Sequence, residues 1–101
     1  MNTSAQASAI DLVKAQDPST PPEELLPLAA HKLATVRAAV AKRSDCPMSA
    51  LVSLGHDHDA AVLEALLSNK KTPLTVIRKL ADHRNTRISD LAVQRLRNTF
   101  R

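Results

Sequence analysis

The feature that most constrains this chain is a period: its apolar residues and prolines recur every 26 positions without a slip. Ile10, Val36, Val62 and Ile88 form one series, and Pro21, Pro47 and Pro73 another. The same spacing relates Leu25, Leu51 and Ile77, then Leu28, Leu54 and Leu80, then the small residues Ala29, Gly55 and Ala81. A fixed period of this length marks a repeat array, in which each unit buries its apolar face against its neighbours. The expected fold is all-α: a short right-handed helical-repeat solenoid alternating longer α-helices with short, 3₁₀-like ones. It is expected to be one domain over 1–101, with a leading partial unit over about 4–17. Repeats follow over about 18–43, 44–69 and 70–95, with an extension of the last helix over 96–101.

Each unit reads as two helical segments. The first opens at the repeated proline, whose missing N–H is no loss at the first helical position. Thr20 and Thr72 precede it as expected N-caps, and Thr20 with Glu23 fits a capping box. Its apolar residues fall at i and i+3 (Leu25 with Leu28, Leu51 with Leu54, Ile77 with Leu80), and Pro27 predicts that it is short. The second segment starts after Asp59 and Asn85, both good N-caps, and carries the i, i+3, i+4 stripe of an amphipathic helix. These stripes are Val36, Ala39, Val40; Val62, Ala65, Leu66; and Ile88, Leu91, Ala92. In the first full unit Leu33 stands where the others have a capping side chain. Ile10, Leu12 and Val13, after a Ser4 cap, supply a leading helix expected to shield the end of the stack.

The strings Thr20-Pro21-Pro22-Glu23-Glu24-Leu25-Leu26 and Leu28-Ala29 through Val36-Arg37-Ala38-Ala39-Val40-Ala41 resemble the leucine-rich repeat variant family, over residues 10 to 93. The resemblance implies a bacterial solenoid that alternates α-helices with short 3₁₀-helices and has no strands. It implies no reaction and no ligand. The chain departs from the pattern at Arg37, which gives way to Leu63 and Ser89 in the later units.

Composition agrees with packed helices. Hydrophobic residues make up 44% and charged ones 24%, against disorder, while a 1% aromatic content leaves the core to Leu, Val, Ile and Ala. The lone Cys46 has no internal disulfide partner and cannot by itself hold a structural metal, which suits a reducing compartment. Residues 1 to 9 lack the charge and apolar run of a secretory leader, and no apolar stretch spans a bilayer. The expectation is a cytoplasmic protein with no membrane association.

Several residues invite chemistry. His56-Asp57-His58-Asp59 alternates imidazole and carboxylate, but alternation sends the side chains to opposed sides, so a polar turn is the expected reading and no metal site is assigned. His31, Asp57 and His83 share one repeat position, which raises a His–Asp pairing between adjacent units against three solvated turn residues. Cys46 stands before a helix-starting proline, where a helix N-terminus lowers a thiol pKa, yet no histidine in register serves as its base. No catalytic residue and no cofactor are expected.

The net charge of +4 lies wholly in residues 51–101. Lys70, Lys71, Arg78, Lys79, Arg84 and Arg87 form the candidate basic surface, suited to phosphate backbones. Leu91, Leu96 and Phe100 extend the last apolar stripe at helical spacing, either capping the stack or forming an apolar docking edge for a second copy, as a homodimer, or for a partner. The function expected is a non-enzymatic interaction module, a rigid scaffold binding a protein partner. The alternative is an accessory protein that binds nucleic acid through its basic half.

Overall fold

Most helix starts in this protein answer to a local signal, a capping side chain or a proline. The computed structural model describes residues 3–99, apart from the Ser4 side chain, as seven α-helices with no strand among them: α1 (Ser4–Gln16), α2 (Pro22–Ala29), α3 (Ala34–Ala41), α4 (Met48–Leu54), α5 (Ala60–Ser68), α6 (Leu74–Ala81) and α7 (Thr86–Thr99). Asp59 caps α5 by accepting from the Ala61 and Val62 amides, and Asn85 Oδ1 accepts from Arg87 and Ile88. Leu33 starts α3 without a side-chain cap, as its type dictates. The cap of α1 is Thr3, in a reciprocal capping box with Gln6, one residue before the expected Ser4.

The odd-numbered helices form one row, each packed on the next, and α2, α4 and α6 form a second row against it. The whole measures 51 × 25 × 16 Å with a radius of gyration of 13.9 Å, close to the ~13 Å of a compact chain this long.

Two expectations need correction. The short helices are α-helical over 7 or 8 residues rather than 3₁₀-like. Pro47 and Pro73 carbonyls accept from amides four residues on as well as three, so α-turns form at once, and i→i−3 bonds are confined to the ends. Pro27 lies within α2 on its exposed side, and the helix continues to Ala29. Thr20 and Thr72 are not N-caps either. Pro21, Pro47 and Pro73 hold that position with no side-chain bond, and the threonine hydroxyls instead donate back to Lys14 O and Leu66 O at 2.6 Å. Each threonine therefore bonds a carbonyl in the last turns of the long helix before it, Leu66 O also accepting the Asn69 amide.

The core follows the period. Val36, Val62 and Ile88 are fully buried, as are Leu25, Leu51 and Ile77, with Leu28, Leu54 and Leu80 close behind. Ile10, their register mate, is 54% exposed because no helix precedes α1 among the described residues to cover it. The leading helix thus covers α3 through Ala15 and Leu12 but presents Ile10 and Val13 to solvent.

A polar ladder links the units. Arg43 donates to the carbonyls of Ala15 and Asp17, Asn69 to those of Ala41 and Arg43, and Arg95 to those of Leu67 and Asn69. Every rung spans 28 and 26 residues. Each joins the ends of two successive long helices, giving a partner to a carbonyl of the last turn (Ala15, Ala41 or Leu67) and a second donor to one that already accepts the amide three residues on (Asp17, Arg43 or Asn69).

The rows also match in size. A Cβ on Gly55 would stand 3.0 Å from Val76 Cγ1, whereas one unit earlier Ala29 and Ala50 line the equivalent place. Gly55→Ala is expected to destabilise by about 1 kcal/mol, overpacking outweighing the gain in helix propensity. In a double-mutant cycle by urea denaturation, Gly55→Ala with Val76→Ala, which recreates the Ala29–Ala50 pairing, should be more stable than additivity allows by about 1 kcal/mol.

Candidate functional site

The residues that invited chemistry are occupied with turns. His31, Asp57 and His83 each accept the backbone N–H two residues on, through His31 Nδ1 from Leu33 (3.0 Å), Asp57 Oδ1 from Asp59 (2.9 Å) and His83 Nδ1 from Asn85 (3.0 Å). Their charged partners lie on the preceding long helices rather than on one another. His31 Nε2 meets Asp11 at 3.0 Å, and Arg37 Nε donates to Asp57 at 2.7 Å. With its Nδ1 lone pair engaged by an amide, the His31 ring places its hydrogen on Nε2, facing Asp11.

Burial, the largest influence on the Asp57 carboxyl, pushes its pKa up. The Arg37 hydrogen bond, the Asp59 amide and the Arg37 charge together outweigh it and hold the group below the usual carboxylate range. His56 receives Lys79 Nζ at 2.8 Å, and Asp59 caps α5, so the His56–Asp59 segment is a turn whose members face different neighbours. Among the described residues no group of three or more His, Cys, Asp or Glu is placed to hold a metal ion. Cys46 is buried, its Sγ donating to Pro47 O at 3.7 Å. Burial raises its thiol pKa to about 11, with Asp45 adding and Arg43 opposing, so the helix N-terminus does not activate it.

The candidate basic surface is divided. Lys70 and Lys71 lie in the turn between α5 and α6, whereas Arg84 and Arg87 lie at the start of α7, the opposite edge of the long-helix row. The length of α5, about 13 Å, separates the two edges. Arg87 is engaged with Glu64 and Lys79 with His56. Leu91 and Leu96 pack partly buried against the core, and Phe100 lies outside the described residues.

Two kinds of surface went unseen in the sequence. On the long-helix face a cleft of about 620 Å³ crosses α1, α3 and α5, floored by Ala34, Ala38, Ala39 and Ala61 and walled by Leu12. Lys42 stands at one end and Asp59 at the other. On the short-helix face are two smaller clefts, one of about 230 Å³ between α2 and α4 and one of about 160 Å³ between α4 and α6. The six residues lining the first (Leu26, Ala29, Ala30, Ser49, Ala50, Ser53) map one for one, 26 positions on, to the six lining the second.

No family model, curated protein or solved structure matches this chain. Its surface carries an alanine-floored cleft on one face and an exposed apolar row, Leu26, Met48, Val52 and Leu74, on the other. No helix among the described residues is long and apolar enough to cross a membrane.

Proposed function

We propose that this chain is a short solenoid of 26-residue units, akin to the leucine-rich repeat variants, that works in the cytoplasm as a non-enzymatic interaction module and binds a protein partner. The repeat reading draws support from the ladder of Arg43, Asn69 and Arg95 and from the matched short-face clefts. The binding reading is carried by one observation, the long-helix cleft. Its small side chains let another backbone approach closely, and its ends are charged oppositely, with Lys42 exposed at the C-terminal end of α3. The partner it fits is an amphipathic helix with apolar side chains toward the alanines and a carboxylate toward Lys42, its positive N-terminal end toward Asp59.

The immobilised chain is expected to retain such a protein from nuclease-treated lysate. Thr35→Trp, at an exposed position lining the cleft, should cut retention at least about tenfold while helicity is unchanged, and acidic substitution at Lys42 should weaken it further. Capture that disappears with nuclease and falls steeply with salt would replace this reading with the nucleic-acid one.

A further inference from the structure

The short-helix face is apolar along its centre and oppositely charged at its two sides. Helix α2 carries Glu23 and Glu24 in its first turn and no base, while α6 carries Arg78 and Lys79 in its last turn and no acid. Between them α4 presents Met48 (56% exposed) and Val52 (44%) and no charged residue at all. Glu24 is engaged with Lys14, but Glu23 is exposed. Leu26 and Leu74 extend the apolar centre to either side.

We propose that this face pairs with the same face of a second copy of the chain, about a two-fold axis running along α4. Rotation about that line sets α2 of one copy over α6 of the other and α4 over α4. Charge that changes sign across a face becomes complementary under this operation, so each side of the pair sets acid over base, twice over. Met48 and Val52 meet their own counterparts at the axis, the burial that their exposure in the single chain lacks. Glu23 stands one turn of helix, about 5.4 Å, from the level of Arg78 on the opposing copy, a step long side chains cover. A partner helix from another protein would fill the apolar row but would leave this inversion of charge unexplained.

Three helices about 12 Å long and 8–10 Å apart make a contact of roughly 30 by 12 Å, about 700 Å² over the two copies, below the size of stable specific interfaces and within that of weak, transient ones. A weak dimer follows, with Kd of roughly 10 µM to 1 mM. The pairing does not depend on the long-helix cleft, which lies on the other row and stays open in the dimer.

Sedimentation equilibrium on the full chain up to about 1 mM, a range set by that Kd, is expected to show monomer passing to dimer. Val52→Glu, which sets two like charges together at the axis, should weaken dimerisation at least about tenfold with helicity intact. Glu23→Lys alone and Arg78→Glu with Lys79→Glu alone should each be monomeric, because each sets like charges opposite one another. Mixed, the two variants should associate, since both edges of the mixed pair then join acid to base. Wild-type protein that stays monomeric throughout, a dimer indifferent to Val52→Glu, or variants that fail to associate on mixing would overturn the proposal. So would a dimer lost instead on replacing Leu96 by Ser. Thr35→Trp should leave dimerisation unchanged, which separates failure here from failure of the long-face reading.

Discussion

Asn69→Leu is expected to lower the free energy of unfolding by about 2–4 kcal/mol, although the substitution adds an apolar side chain to a buried site. Asn69 is 5% exposed and its side-chain amide does three things at once. Its nitrogen donates to Ala41 O at 2.7 Å and Arg43 O at 2.8 Å, and its oxygen accepts from the Lys71 amide at 2.9 Å. Leucine leaves Ala41 O and the Lys71 amide without that partner, Arg43 O keeping only the Cys46 amide, and their lost hydration exceeds what a few extra apolar contacts return. Asn69→Asp separates the two jobs, keeping the acceptor toward Lys71 while removing both donors, and should cost nearly as much. Urea denaturation followed by circular dichroism reads both. A loss under about 1 kcal/mol for both variants would mean that water replaces the side chain and that the ladder is dispensable.

Leu66→Ala is expected to cost about 3–4 kcal/mol. Leu66 is fully buried in α5, the helix that packs on both α3 and α7, so a cavity there has walls from three units and little freedom to collapse. Total stability for a domain of this size is about 5–15 kcal/mol, so the thermal midpoint should fall on the order of 15 °C. Val52→Ala, one of the exposed apolar positions, should change stability by less than about 0.5 kcal/mol at dilute concentration. Comparable losses for the two would mean that burial does not order the apolar positions as their register implies.

The apolar architecture was legible because burial repeats along the chain: Val36, Val62 and Ile88 are buried, as is every residue in the series of Leu25 and of Leu28, and Asp59 and Asn85 cap the helices that their types announced. Ile10 belongs to the same series yet is exposed, since a pattern states which face seeks cover and not whether a neighbour supplies it. The polar joints were hidden for a different reason. Positions 17, 43, 69 and 95 hold Asp, Arg, Asn and Arg, an acid, a neutral amide and two bases. What the last three share is a donor able to reach carbonyls 26 and 28 residues earlier in the chain, which their difference in type conceals. Likewise Asp11 with His31 and Arg37 with Asp57 put opposite partners at the same pair of positions, so a scan for recurring residues passes over a recurring contact. Thr20 and Thr72 were misread because a threonine before a proline can serve the helix ahead or the helix behind, and only the packed backbone decides. The long-face cleft is made by what is small, and four alanines announce helix propensity before they announce a hollow.

The ladder also bears on how copies of this chain can join. At each internal joint a side chain with N–H groups reaches back to the previous unit. The first position of the series is Asp17, which as a carboxylate has nothing to donate and is already turned to the Ser19 amide and hydroxyl at 2.9 and 2.7 Å. At the other limit, the Arg95 carbonyl is taken by the Thr99 hydroxyl at 2.8 Å as α7 runs on. An end-to-end meeting of two molecules would therefore bring an acceptor to an occupied acceptor. Sickle-type fibres grow because a contact on one molecule leaves its complement open for the next. This chain withholds that complement at both limits of its ladder, so molecules that met end to end would gain no ladder hydrogen bond between them.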